Sequence, residues 1–559
     1  MSPTARELIR LTVLALLVRT AVALVIDRAP WTDSAYYYAS ARELATGHGL
    51  TVPFVWSFLE TGGRLPTHPA LPIPSHAHWM PLTSFVSAGA MWLLGATWRA
   101  GQVAMVLLST LLTPLAYLIG LRIFRSRAAG VAGGVLVVFC GPLLLFGSIV
   151  ENFAVFGLAG AGALYAAMRS VEDRGHRKLW LIGSGALVGI ATLARVDGVL
   201  LGVATATAWA IGMGWTSWRA SGPRPGWLVG VASAAAFAAT VAPWAARNLA
   251  TFGAVLPSTG GHTLWIKSYN EQFSLTADTS FATYLAQGPL AIMSPKVQTW
   301  ITLLGYSVAL LAGIFGALFL ASLWLQRREP CHAPFIVYWL MMFVAMGAIF
   351  TFHAPNGLFY HHAAAWLPIA APMSATAIGR LGNAASRWWG FLGRPATHRF
   401  ILVVSLLAAV PFSLVASGLL LASWRQDLRA AAAVGRFLEQ DAQPNDVVMH
   451  RDAPLFFTVT GHPTVAPPND PFPVIEEVAR AYHARWYVAQ LQSIGPSLEP
   501  LGLWKGGDAV DDLGNRADWL AREPSFDDGE VRVYAILPQG QAAAGARSST
   551  PIEDSATRW

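Results

Sequence analysis

The sequence predicts an all-α polytopic membrane protein of about eleven transmembrane helices, N-terminus inside and C-terminus outside, with a small C-terminal extracytoplasmic α/β domain. Three observations predict it. Of 559 residues, 54% are AVILMFWYC and only 12% are charged, about half the charged share of an average soluble domain. Apolar runs near the roughly 20 residues that cross a bilayer recur as far as Leu421. Beyond Leu421 acidic residues become frequent, and amphipathic helical stretches alternate with short β-rich runs at 446 to 450, 485 to 489 and 531 to 536.

The first apolar run, near 8 to 26, follows Arg6 and Arg10 and contains Arg19. A cleaved signal peptide is one reading; the interrupting Arg19 favours an uncleaved first span. Further runs lie near 100 to 121, 128 to 147, 152 to 169, 178 to 195, 198 to 215, 227 to 246, 300 to 325, 334 to 352, 363 to 380 and 400 to 421. A shorter run at 81 to 96 decides the side of every later loop. If it lies in the interface or re-enters, 17 Lys and Arg fall in short inner loops, including Arg122/Arg125/Arg127 and Arg380/Arg387/Arg394/Arg399. Eight then fall in longer outer loops. That split satisfies the positive-inside rule, and a spanning 81 to 96 would invert it. The domains expected are therefore a transmembrane domain at 1–421, whose first outer loop at 27–99 carries interfacial helices, an outer α/β domain at 422–540, and a disordered tail at 541–559.

The net charge of +7 divides accordingly. Residues 1–421 hold 26 Lys+Arg against 12 acids, or +14, and the remainder holds 12 against 19, or −7. The basic balance is a topology signal and implies no nucleic-acid partner. Only Cys140 and Cys331 are present, so no disulfide framework supports the outer domain.

Carboxylates are scarce before Leu421, and an ionisable group near membrane depth usually faces a cavity or a partner. Asp33 opens a helix in the first outer loop, in Trp31-Thr-Asp33-Ser-Ala-Tyr36-Tyr37-Tyr38, which stops at Gly47-His48-Gly49. It can serve as an N-cap, or as a general base held at the membrane surface. Glu151 falls on the same side, so the two carboxylates should border one external cavity; a helix-start role is its alternative. Arg195 and Asp197 sit at another outer turn, where a local ion pair is the simpler reading. Tryptophans near span ends, among them Trp31, Trp79 and Trp424, read as interfacial belts.

The ordered set Asp33-x-x-Tyr36-Tyr37, His78-Trp79-Met-Pro81, Glu151, Leu193-Ala-Arg195-Val-Asp197-Gly198 and Pro243-Trp244-Ala-Ala-Arg247-Asn248 resembles the GT-C glycosyltransferases. Within them it looks closest to bacterial relatives of the protein O-mannosyltransferases and the lipid A aminoarabinose transferase. The resemblance implies a multi-pass enzyme of the bacterial plasma (inner) membrane whose active site faces outward. It would take a sugar, hexosyl or pentosyl, from a polyprenyl-phosphate carrier and pass it to an acceptor hydroxyl on a glycan, lipid or protein with inversion. Asp33 occupies the position of the general base, with Glu151 as the second catalytic carboxylate. The departing phosphate needs a cationic or hydrogen-bonding clamp. Arg247 leads for that role, followed by Arg64, His78, Lys267 and the pair His361 and His362.

The sequence departs from the family where many relatives carry a second acidic residue, because Ser34 follows Asp33 and no Asp-x-Asp motif occurs in this loop. No cofactor is therefore implied with certainty, and a divalent metal stays open. His68, His76 and His78 form the histidine set that could bind one. The competing function is a lipid-linked glycan transporter or flippase, which predicts repeated halves that the sequence does not display; a third reading, a membrane-anchored glycan-binding scaffold, predicts no need for Asp33.

Overall fold

The computed structural model describes residues 2–216, 218, 223–258, 263–490 and 517–539, so the expected tail at 541–559 lies outside the described residues. Among these, seven helices are long and apolar enough to cross a membrane, or eight with one bent pair counted as a span. The first, Pro3–Val25, is capped by the Ser2 hydroxyl and carries Arg19 fully buried in its middle. The chain breaks between the helices Arg127–Phe139 and Leu143–Phe146. This break frees carbonyls, and Arg19 takes them, with Nη1 2.6 Å from Leu143 O and Nη2 3.2 Å from Val137 O. A buried cation in an apolar helix is tolerable only with such partners.

Leu82–Leu94 has 13 residues, about 20 Å of helix, too short for the roughly 30 Å hydrocarbon core. Two expectations are corrected. The single span expected at 300 to 325 is two helices, Pro289–Ala309 and Ile314–Leu325, bent by 111°. Ala312 and Gly313 between them have φ of 55° and 73°, and consecutive left-handed residues cannot continue a right-handed helix. The helix expected at 400 to 421 runs from Pro395 to Asp441 without interruption. Its last turns are held by a sheet rather than by lipid.

Among the described residues eight strands make two sheets: β1 (Thr51–Val52) and β3 (Ile73–Pro74) form a small antiparallel pair, while β2 (Phe54–Val55), β4 (Val447–Met449), β5 (Thr464–Val465), β6 (Ala484–Gln490), β7 (Phe526–Asp527) and β8 (Val531–Ala535) make the one mixed sheet that packs on the long helix. Its order is β2-β5-β4-β6-β8-β7, so a strand of the first loop forms one edge. β2, β5, β4 and β6 are parallel and β8 is antiparallel to β6 and β7. Val448, Val488 and Val533 pack with Phe456 against Val434 and Leu438 of the long helix. Each such fully buried aliphatic side chain contributes roughly 1.5–3 kcal/mol. This interface prolongs the helix beyond Leu421 and brings the C-terminal segment down onto the first loop.

Candidate active site

A cavity of about 760 Å³ lies where the first loop, the turn at Arg195, the start of the helix Phe359–Ala385 and the C-terminal segment meet. Asp33, Arg195, His361 and Asp452 are among its lining residues. Asp33 stands in the first turn of the helix Thr32–Ala45, whose N-cap is Trp31 with no side-chain cap bond. The N-cap reading of Asp33 is thus not realised, and its carboxylate faces the cavity with 19% of the side chain exposed. Burial, opposed by the Arg195 charge and reinforced by that of Asp452, pushes its pKa up to about 6.

Glu151 does cap a helix, its Oε1 accepting from Asn152 N at 2.8 Å. Its Oε2 is buried without a hydrogen-bond partner. Burial, then the nearby Asp33 charge, holds its carboxyl well above the usual range. His361 Nε2 lies 3.8 Å from Asp33 Oδ2, and its Nδ1 is 2.9 Å from Asn152 Oδ1. Asn152 in turn donates to the Tyr37 hydroxyl at 3.3 Å. Donor atoms of Asp33, Glu151 and His361 all lie within 4.8 Å of one another. Two carboxylates and an imidazole suit a divalent cation, and the orphaned Glu151 oxygen supplies a free ligand atom.

The histidine set expected for a metal does not assemble. His68 is exposed. His76 is buried, with ring nitrogens 2.8 Å from Ser75 Oγ and 3.0 Å from Ser84 Oγ. His78 does line the cavity, 3.0 Å from Ser258 Oγ, but burial lowers its pKa to about 4, so it is neutral near pH 7. The same cause lowers His353 and His450, two further lining residues, to about 4. The arginines among the lining residues are Arg195 and Arg451.

The phosphate candidates therefore separate. Arg247 is not among the cavity residues: its Nη2 donates to Ser75 O at 2.9 Å and its Nη1 to Asn248 Oδ1 at 3.1 Å, with the guanidinium over Trp244 and Phe252. Glu151 is fully buried and is not among the lining residues either, so of the three residues expected to share one cavity, Asp33, Glu151 and Arg247, only Asp33 lines it. Lys267 pairs with Glu271 at 3.3 Å and Arg64 is exposed; neither lines the cavity. His361 and His362 do not act as a pair, because successive helical residues point about 100° apart. His361 faces Asp33, whereas fully buried His362 lies 3.2 Å from Asp197 Oδ2.

Arg195 makes the expected local pair, Nε and Nη2 lying 3.1 and 3.2 Å from the two Asp197 oxygens, and yet it also lines the cavity. Its position between two predicted spans was the available signal. Asp452 had none: it belongs to the C-terminal segment and accepts from the Thr32 hydroxyl at 2.7 Å, beside Asp33. Trp31, Trp79 and Trp424 line the cavity instead of forming a lipid belt, and Trp79 and Trp424 are buried.

A family model described as dolichyl-phosphate-mannose-protein mannosyltransferase matches residues 74–244. No curated protein sequence matches the chain. Among solved structures, ArnT from Cupriavidus metallidurans bound to undecaprenyl phosphate is similar at 14% identity and a TM-score of 0.56, over 93% of this chain and 97% of that one. The archaeal oligosaccharyltransferase AglB from Archaeoglobus fulgidus, in complex with an inhibitory peptide and a dolichol-phosphate, is similar at 12% identity and a TM-score of 0.54, over 87% of this chain and 69% of that one. Both are GT-C glycosyltransferases. At these identities the likeness is one of fold: the chain shares the fold of these two structures, on a helical scaffold with several apolar candidate membrane helices.

Proposed function

We propose that the chain is a glycosyltransferase that moves a sugar, hexosyl or pentosyl, from a polyprenyl-phosphate carrier to an acceptor hydroxyl at the outer face of the bacterial plasma membrane, with inversion. The observation that carries this reading is Asp33, a carboxylate with a pKa of about 6 in the wall of a 760 Å³ cavity. A base of that strength is ionised near pH 7 yet accepts a proton readily. The matched family model and the carriers named with ArnT and AglB support the choice of donor.

In the step proposed, Asp33 takes the proton of the acceptor hydroxyl. The acceptor oxygen forms a bond to the anomeric carbon from the face opposite the phosphate, and the carbon–oxygen bond to phosphate breaks. The electron pair leaves with the phosphate, so a phosphodiester monoanion becomes a polyprenyl phosphate monoester with one more negative charge. Arg195, always protonated and set in the same cavity wall, meets that charge. The nearly neutral histidines do not. Asp33, Glu151 and His361 are the residues that would hold a divalent ion, whose charge would add to the stabilisation of the phosphate. The C-terminal segment contributes Arg451 and Asp452 to the wall.

The test is transfer in membranes containing the chain, using a panel of radiolabelled undecaprenyl-phosphate hexoses and pentoses. Label should enter a product without the prenyl chain, with inverted anomeric configuration, and bare undecaprenyl phosphate should compete. Absence of transfer from every carrier in the panel, or retention of configuration, contradicts the proposal.

A further inference from the structure

The turn that presents Arg195 is gripped from two other helices. Asp197 receives the guanidinium edge-on through Nε and Nη2, at 3.1 and 3.2 Å, which fixes the plane of the group and leaves Nη1 as the nitrogen that Asp197 does not engage. Asp197 Oδ2 lies 3.2 Å from His362 Nε2, on the helix Phe359–Ala385. His362 Nδ1 lies 2.8 Å from the Tyr338 hydroxyl, on the helix Ala333–Ala348. His362 and Tyr338 are fully buried. The turn has no slack on its other side either, since a Cβ on Gly198 would stand 2.6 Å from the backbone carbon of Ala191.

A buried chain of this kind is a poor way to gain stability, because desolvation of the ions offsets their attraction and apolar packing of the same volume does as well. What it does provide is direction. A lone Arg–Asp pair at a loop end could rotate as a unit; a carboxylate backed at 3.2 Å by a fully buried imidazole, whose other ring nitrogen meets the Tyr338 hydroxyl, has less room to do so, although His362 Nε2 makes no hydrogen bond of good geometry.

Resting on the reading of this cavity as a polyprenyl-phosphate site, we propose that Asp197, His362 and Tyr338 are positioning residues that aim Arg195 at the carrier phosphate. They act through the guanidinium: His362 and Tyr338 are not among the lining residues of the cavity, and Asp197, which is, directs both of its oxygens at Arg195. The chain of contacts crosses the fold from the interior of one helix, through a second, to the cavity wall, so substitutions at Tyr338, remote from the reacting atoms, register at the phosphate.

The experiment compares binding of undecaprenyl phosphate with binding of undecaprenol, which has the same chain and no phosphate, to the full-length protein in detergent. Wild type should prefer the phosphate. Arg195→Met should erase the preference, Asp197→Asn and Tyr338→Phe should each reduce it by about tenfold, and undecaprenol affinity should stay constant throughout. Adding Asp197→Asn to Arg195→Met should change nothing further, whereas Arg247→Gln should leave the preference intact. Tyr338→Phe removes a single oxygen and retains ring volume, so it remains informative if the charged variants fail to fold. Full phosphate preference in Asp197→Asn and Tyr338→Phe, or equal loss of phosphate and alcohol binding, overturns the positioning role while leaving the transferase reading in place. A wild type that binds both lipids equally overturns the carrier reading itself and the inference with it.

Discussion

If Asp33 must be ionised to take the acceptor proton, the rate of transfer should follow its titration. With a pKa of about 6, roughly 97% of the carboxylate is ionised at pH 7.5 and roughly 9% at pH 5.0, so kcat/KM should fall about tenfold between them. An ordinary aspartate, with a pKa near 3.9, would lose less than about 10% over the same interval. The assay is initial-rate transfer at subsaturating donor in detergent, with donor and product stability checked at each pH. The same shift bears on stability. A carboxyl whose folded pKa is raised contributes stability that is complete below about 3.8 and is lost as pH rises through about 6. The difference of about 2 units, at about 1.4 kcal/mol each, puts the cost of the buried charge at pH 7.5 on the order of 3 kcal/mol. Asp33→Asn should therefore melt higher than wild type at pH 7.5 and equal to it near pH 4. A flat pH profile from 5.0 to 7.5, together with an unchanged or lowered melting temperature for Asp33→Asn, would refute the reasoning.

Other consequences are equally direct. Thr32→Val should lower transfer and loosen the first loop, read as faster amide exchange over the helix Thr32–Ala45, because it removes the 2.7 Å bond to Asp452. Gly198→Ala should destabilise the protein by about 1–3 kcal/mol, since its new methyl would stand 2.6 Å from the Ala191 backbone carbon, and thermal unfolding reads the loss. Val488→Asp should detach the sheet from the long helix, because Val488 is packed with Val434 and Leu438; limited proteolysis should then cleave between 422 and 446, where wild type resists.

Much of this arrangement could be read from the residues in order, and the exceptions have physical reasons. Hydropathy located most long helices, and period-two runs located β4, β6 and β8 to within about a residue at each end. The place of Asp33 beside a cavity was legible because carboxylates are scarce beside apolar spans. The bend at Ala312 and Gly313 was not, since an apolar run looks the same whether or not two of its residues take positive φ. The extension of the last long helix past Leu421 depends on Val448, Val488 and Val533, which belong to strands that follow it. Arg247 and Arg195 exchanged places for a similar reason. Residue type marks both as cations, but only tertiary packing puts the Ser75 carbonyl on one and the cavity beside the other. The neutrality of His78 is likewise a matter of burial, which no spacing reveals.

The central claim is that Asp33 removes the acceptor proton in a polyprenyl-phosphate-dependent transfer. The measurement that tests it most directly is single-turnover transfer from a radiolabelled undecaprenyl-phosphate sugar by wild type and Asp33→Asn, matched for expression and for undecaprenyl phosphate binding. The account predicts that the variant binds the carrier as wild type does and loses at least about a hundredfold in rate, the usual scale of general-base catalysis. Transfer by Asp33→Asn at the wild-type rate would contradict it.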